Sequence, residues 1–128
     1  MENRKAAVYI RLARARNVAF YCRMALADTD ALAVQERHLF NFAEANGYED
    51  GEFNKHRIYH DNGQSGLTLD RPGMNALMAD IRDGRVDVLI VKDISRVLRD
   101  YLKIEPWLGF LKERGVRFIS VNDGIDIL

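Results

Sequence analysis

The sequence predicts an α/β domain with a mostly parallel sheet of four to five strands and helices on both faces. Apolar runs typical of strands alternate with stretches of helical periodicity along the chain. The run VDVLIV at residues 86–91 is nearly continuous, as expected of a strand covered on both faces. Because 128 residues fit one domain, we expect a single sheet with right-handed crossovers.

The first strand is predicted over residues 18–23, VAFYCR, because Val, Phe, Tyr and Cys favour a buried pleated surface. A near copy upstream, AVYIRLARAR at 7–16, is the alternative first strand. In the helix that follows, Thr29 or Asp30 can cap the start and Gly47 can end it. The apolar residues on one face of this helix are Leu32, Leu39, Phe42 and Ala43.

A short second strand is predicted at 57–60, followed by a flexible loop at 61–69 that contains two glycines. The second helix begins with Pro72 at its favoured first position and ends at Gly84. Its core-facing residues, at i, i+3, i+4 and i+7, are Met74, Leu77, Met78 and Ile81.

The third strand, 86–91, is followed by an amphipathic helix at 101–112, which Gly115 closes. A further strand is predicted at 116–121. Each predicted strand is thus followed or preceded by a helix, which is the pattern of parallel strands joined by crossovers.

Residues 1–17 form a basic segment that partly repeats the first strand, so we place the domain at 18–128. The chain has 19 basic and 19 acidic residues, which argues against a strongly cationic protein that coats nucleic acid. Its single cysteine, Cys22, excludes an intramolecular disulfide. Without a secretory signal or an apolar run near the ~20 residues of a membrane span, we expect a cytoplasmic protein with no membrane partner.

Basic side chains follow the carboxyl ends of the predicted strands, where functional groups of such sheets collect. The residues concerned are Arg23, Arg71, Lys92, Arg96 and Arg99. Arginine presents a fork of donors that suits phosphate oxygens, so one interpretation is a phosphate site. The alternative is ion pairing with the nearby acids, Asp28, Asp70, Asp93 and Asp100.

Five motifs in order extend this pattern over residues 18–127. They are YCRMA (21–25), the helix with Gln35, DNGQSGLTLDRPG (61–73), VLIVKDISRVLRDY (88–101) and GVRFISVNDGIDI (115–127). The combination resembles the catalytic domain of the serine recombinases, the resolvase/invertase family. It looks most like the domain in large serine recombinases of conjugative transposons and phages.

The resemblance implies site-specific DNA recombination: a serine attacks a phosphodiester to give a 5′-phosphoseryl link, and strands are exchanged within a tetramer. It implies DNA and a second copy of the chain as partners, with dimers or tetramers in the full-length form, and no metal or cofactor. The family's catalytic residues correspond here to Arg23, Gln35, Arg71, Arg96 and Arg99. Ser65 and Ser95 correspond to further residues near the phosphate.

Three departures from the family stand out. Its nucleophilic serine corresponds to Ala25, or to Ala13 if the upstream copy is the first strand. Leu98 replaces a glycine and is expected to crowd the turn that carries the paired arginines. The chain also stops at Leu128, before the family's oligomerisation helix and DNA-binding domain.

A methyl group cannot attack phosphorus, so we expect a recombinase domain that is impaired or silent. Ser65 is the least implausible substitute nucleophile. Two alternatives stay open: an active recombinase with an unusual nucleophile or a replaced natural serine, and a non-catalytic DNA- or partner-binding module. We expect weak DNA binding by this chain alone, because its net charge is zero.

Two weaker patterns have ordinary structural explanations. His56 and His60, beside Asp61, have a metal-like spacing but in a strand are expected to be polar surface residues. Trp107, with Phe110 and Tyr101, suggests base stacking, yet on an amphipathic helix core or oligomer packing is the better interpretation.

Overall fold

A five-stranded sheet organises the part of the chain that the structure, a computed structural model, describes: residues 15–128. The strands are β1 (Arg16–Met24), β2 (Asn54–Asn62), β3 (Val88–Val91), β4 (Arg117–Ser120) and β5 (Ile125–Ile127). Their order is β2-β1-β3-β4-β5, with β5 antiparallel to β4 and all other pairs parallel. The predicted α/β class with a mostly parallel sheet is confirmed.

Three helices cover the sheet: α1 (Thr29–Ala45), α2 (Pro72–Arg82) and α3 (Tyr101–Glu113). A single turn of 3₁₀ helix, Ile94–Arg96, follows β3. Proline occupies the first turn of α2, as predicted. None of the described helices is long and apolar enough to cross a membrane.

The start of α1 corrects one detail of the prediction. Its cap is Asp28, whose Oδ1 accepts from Ala31 N at 3.0 Å, whereas the sequence favoured Thr29 or Asp30. All three are good capping residues, so composition alone cannot choose between adjacent ones. Asp100 caps α3 in the same way, accepting from Leu102 N at 3.0 Å.

Two apolar cores lie on opposite faces of the sheet. On one face α1 packs its buried residues, among them Leu39 and Ala43, against alternate residues of the central strands. On the other face α2 and α3 share a larger core. Neighbouring residues of β1 divide between them, since Cys22 faces α1 and Tyr21 faces α2 and α3. This alternation is the pattern of a strand covered on both sides.

Strand limits differ from the prediction at the sheet edges. β2 runs over nine residues, so the loop after it begins later than expected. β5 was not predicted separately; it returns antiparallel to β4 through a short turn that contains Gly124. β1 begins at Arg16, whereas the upstream near copy, including Ala13, lies outside the described residues apart from its last two positions.

Two side chains that raised questions in the sequence belong to the core. Trp107 is buried, packs edge-on against Phe118 and donates to Met78 Sδ at 3.3 Å. Leu98 is also buried in this core, where it is 3% exposed. No described non-glycine residue has a positive φ, so the family's glycine is not required by the backbone at position 98.

Replacing Leu39 with alanine tests the α1 core. Leu39 is fully buried, so Leu39→Ala should lower the free energy of unfolding by about 2–5 kcal/mol, measured by urea denaturation. Val34→Ala in the same helix is the control: Val34 is 69% exposed, and the change should stay within about 0.5 kcal/mol. Equal losses in the two variants would contradict the packing of α1 described above.

Candidate functional site

The loops after β1, β2 and β3 meet at the carboxyl edge of the sheet. β1 lies between β2 and β3. The connection after β1 therefore leads to the strand on one side of it, and the connection after β2 leads to the strand on its other side. Such a switch in strand order opens the crevice where ligands bind in α/β sheets. Main-chain bonds join the loops: Gly63 N and Gln64 N donate to Met24 O, and Arg99 N donates to Gly66 O.

Arg23, near the end of β1, binds the two other loops through its side chain. Its Nε donates to Arg96 O at 2.9 Å, its Nη1 to Gln64 O at 2.9 Å and its Nη2 to Ser95 O at 2.8 Å. The residue is only 2% exposed. Burial lowers the pKa of Arg23, and the neighbouring Arg71 adds to this effect. The guanidinium therefore crosslinks the loops after β2 and β3, its charge solvated by carbonyl dipoles.

Gly66 lets the loop after β2 pass close to that guanidinium. A Cβ at this position would lie 2.7 Å from Arg23 Nη2 and 2.8 Å from Arg99 Cγ. Arg23 cannot move aside freely, because its three nitrogens are each engaged by a carbonyl. Only glycine fits at this crossing.

Arg71, which precedes α2, makes a second crosslink between the same loops. Its Nη1 donates to Ser65 O at 3.2 Å and its Nη2 to Val97 O at 2.5 Å. Its Nε lies 4.0 Å from Asp61 Oδ2 and has no hydrogen-bond partner among the described residues. Burial lowers the pKa of Arg71, while Tyr21 and Asp61 act in the opposite direction.

Asp61 anchors this corner of the site, a role that the sequence analysis missed. Its Oδ1 accepts from Gly73 N at 2.7 Å and its Oδ2 from Met74 N at 3.0 Å, so it caps α2 from the neighbouring strand. The Tyr21 hydroxyl also donates to Oδ2, at 2.6 Å. Burial, and then this bond, raise the pKa of Tyr21 and keep it a donor. The sequence gives one signal for this role, which is an acidic residue at the end of a strand, just before a glycine-rich loop.

Gln35 holds the end of β1 from α1. Its Oε1 accepts from Arg23 N at 3.1 Å, and its Nε2 donates to Arg23 O at 3.3 Å. Arg96 Nη1 donates to the same carbonyl at 3.2 Å. Gln35 is buried, so in this arrangement its amide binds protein backbone.

Arg96 and Arg99 are more accessible than the two buried arginines. Arg96 Nε lies 3.5 Å from Asp93 Oδ2, although it makes no hydrogen bond with any described group. Arg99 is exposed, and its guanidinium has no hydrogen-bond or ion-pair partner among the side chains that the structure describes. Lys92, after β3, is half-buried. Arg99 is thus the cation at this edge that is freest to meet an anion.

The acids considered as arginine partners divide unequally. Asp28 and Asp100 cap helices, and Asp70 accepts from Asn75 Nδ2 at 3.0 Å. Among the described residues, Asp93 is the one of these four acids that pairs with an arginine of the cluster. The buried arginines are therefore held mainly by main-chain carbonyls, which neither sequence interpretation anticipated.

Ala25 is exposed directly after β1, at the position where the resemblance implies a serine. The nearby hydroxyls are engaged locally. Ser65 Oγ accepts from Leu67 N at 3.2 Å, and Ser95 Oγ donates to Asp93 Oδ1. Cys22 faces the opposite core, and burial raises its pKa to about 12, so its thiol is protonated at neutral pH.

The histidine pattern has a structural role. His56 Nε2 donates to Tyr48 O at 2.5 Å, and its ring packs edge-on against Phe20 and is stacked with Phe40. Asp61 is committed to α2, as described above. Within the described part of the chain, no three His, Cys, Asp or Glu side chains are grouped to hold a metal.

Comparison with known proteins identifies the family of the chain. The chain matches the family described as Resolvase, N terminal domain, over residues 18–128. The chain belongs to this family. It is 36% identical over 62 residues to the serine recombinase Gin of Escherichia phage Mu, a match that covers 48% of this chain and 31% of Gin. The matched region is thus less than a third of that relative's length.

Solved structures extend the similarity to most of the chain. The N-terminal catalytic domain of TP901-1 integrase has a TM-score of 0.75 and 28% identity, covering 87% of this chain and 82% of that one. A resolvase family site-specific recombinase from Streptococcus pneumoniae has a TM-score of 0.71 and 30% identity, covering 87% and 75%. These matches confirm the predicted resemblance to serine recombinase catalytic domains.

Exchanging each kind of arginine for lysine separates structural from accessible cations. Arg71→Lys should lower the free energy of unfolding by about 2 kcal/mol or more, because one ammonium cannot satisfy the carbonyls of both loops. Arg99→Lys should change it by less than about 0.5 kcal/mol. Urea denaturation measures both, and similar losses would contradict the division between buried and exposed arginines.

Proposed function

We propose that this serine recombinase domain binds a DNA phosphodiester at the carboxyl edge of its sheet without cleaving it. The observation that carries the proposal is Ala25, exposed beside a retained arginine cluster. The elements that hold the cluster are intact, whereas the position of the reactive hydroxyl carries a methyl group.

The phosphate would meet the accessible cations first. Arg99 offers an exposed guanidinium with no hydrogen-bond or ion-pair partner among the described side chains, and the half-buried Arg96 extends from the same loop. Guanidinium groups bind phosphate oxygens through paired, charge-assisted hydrogen bonds. Arg23 and Arg71 supply positive charge from below, in a dry setting where charge acts more strongly than in water. Ser65 and Ser95, both exposed on the converging loops, complete the proposed phosphate-binding set, and Gln35 fixes Arg23.

The missing step is the covalent one. In the family's reaction, a serine oxygen forms a bond to phosphorus, the bond from phosphorus to the 3′ oxygen breaks, and that oxygen leaves with a proton. The methyl group of Ala25 has no lone pair to donate, so neither bond changes. In a recombinase assembly on DNA, such a domain would pair with other recombinase subunits as a catalytically silent member.

A second candidate is a non-catalytic partner-binding module of recombinase ancestry. It is favoured by the carbonyl contacts of Arg23 and Arg71, which account for their retention without any bound anion. In that case the arginines are retained because they hold the two loops together. The two candidates differ in whether Arg99 binds phosphate.

An assay for covalent protein–DNA adducts tests whether the domain is catalytically silent. The wild-type protein, expressed from its full reading frame, is incubated with a suicide DNA substrate. The substrate is built from the sequences that flank the encoding gene. We expect no covalent protein–DNA adduct. Ala25→Ser in the same frame should form adducts that survive denaturing electrophoresis. Adducts from the wild type would contradict silence, and their absence from Ala25→Ser would show that more than the hydroxyl has been lost.

Salt-dependent binding tests the phosphate site. Because the net charge is zero, we expect this chain to bind duplex DNA with a Kd of about 10–100 µM at physiological salt. Arg99→Gln should lower the slope of log K against log salt concentration by about one, the loss of one phosphate contact. Arg85→Gln, which changes an exposed residue before β3 at the opposite edge, is the control.

Fluorescence anisotropy with a labelled duplex provides these slopes. Sub-micromolar binding at physiological salt, or equal slopes for wild type and Arg99→Gln, would contradict the proposed site.

A further inference from the structure

The turn between β4 and β5 reaches the loop that carries Arg96. Asp123 in that turn accepts at Oδ2 from Ile94 N at 2.7 Å and from Ser120 Oγ at 2.6 Å. Ser120 is fully buried at the end of β4, so it holds the carboxylate from below. Asp123 is one of two acids in the motif GVRFISVNDGIDI, and the sequence analysis assigned neither of them a role.

The bond to Ile94 caps the 3₁₀ turn Ile94–Arg96 from outside. The residue at the turn's own N-cap, Asp93, makes no side-chain cap bond. Its carboxylate instead accepts from Ser95 Oγ and lies 3.5 Å from Arg96 Nε. The first N–H of the turn would therefore lack a partner without Asp123, which is 29 positions away in sequence.

This turn presents the carbonyls that hold the buried arginines. Ser95 O and Arg96 O accept from Arg23, and Val97 O, directly after the turn, accepts from Arg71. The direction of these carbonyls depends on the orientation of the turn. A group that fixes the turn therefore fixes both guanidinium groups and the base of the Arg96 side chain.

We propose that Asp123 is a positioning residue for the carboxyl-edge site, acting through the cap on Ile94. It does not touch the phosphate; it orders the turn so that Arg23 is held and Arg96 faces the crevice. The importance of this order for DNA rests on the proposed function, whereas its effect on Arg23 does not.

Hydrogen exchange at the Arg23 Nε–H, followed by NMR, measures the positioning directly. The Leu89 amide, in the central strand β3, serves as the reference for global unfolding. Asp123→Ala should speed exchange at Arg23 Nε–H by about fivefold or more relative to this reference. Asp123→Asn keeps an oxygen that can accept from both donors, so it should preserve most of the protection.

Asp126→Ala is the matched control in the same hairpin. Asp126 accepts from Arg117 across β4 and β5, at 2.7 and 2.8 Å, and no hydrogen bond joins its side chain to a described residue of the turn Ile94–Arg96. Its loss should leave Arg23 exchange unchanged relative to the reference. Unchanged exchange in Asp123→Ala, or equal acceleration in both variants, would overturn the proposal.

Ser120→Ala provides a milder variant should Asp123→Ala fail to fold. It removes one of the two bonds to Asp123 Oδ2, so exchange at Arg23 Nε–H should speed up by about twofold to threefold relative to Leu89. No acceleration in this folded variant would then overturn the proposal.

DNA binding forms a separate arm. If the carboxyl edge binds phosphate, Asp123→Ala should weaken binding to a labelled duplex by about fivefold, and Asp126→Ala should not. Faster exchange at Arg23 without any salt-dependent DNA binding in the wild type would sustain the positioning role and reject the proposed function. Failure of the positioning role and failure of the proposed DNA binding are thus distinguishable.

Discussion

The carboxyl edge of the sheet depends on the hydrogen bonds that the Arg23 guanidinium donates to three main-chain carbonyls. These carbonyls belong to Gln64, Ser95 and Arg96, in two loops that are far apart in sequence. Arg71 repeats the arrangement between the same loops. A buried charge is costly unless polar groups surround it, and here carbonyl dipoles take the place of a carboxylate. Two arginines therefore hold the loops together through main-chain acceptors that any amino acid could supply.

This arrangement divides the arginines by task. Those at 23 and 71 are buried and engaged, while Arg99 faces solvent and Arg96 is partly accessible. Burial lowers the pKa of both engaged guanidiniums, which reflects the cost of keeping positive charge in a dry site. An anion at the edge would offset part of that cost. The site thus keeps its electrostatic character whether or not residue 25 can react.

The sequence predicted the architecture well, because helical periodicity and the buried run before Lys92 are local signals. It also predicted which loops would meet, since that follows from parallel strands alone. The partners of Arg23 could not be predicted, because main-chain carbonyls leave no trace in residue identity. The Asp123 cap on Ile94 joins two turns whose proximity appears only after β4 has paired with β3. The short β5 lacked a long enough alternating pattern to be recognised.

A crystal structure with a short phosphodiester, such as a dinucleotide, would show directly which groups hold the phosphate. We expect a phosphate held by Arg99 and Arg96 beside Ala25, with Arg23 and Arg71 still bound to the carbonyls of the two loops. Release of either buried arginine from its carbonyls to bind the phosphate, or a ligand seated away from this edge, would contradict this expectation.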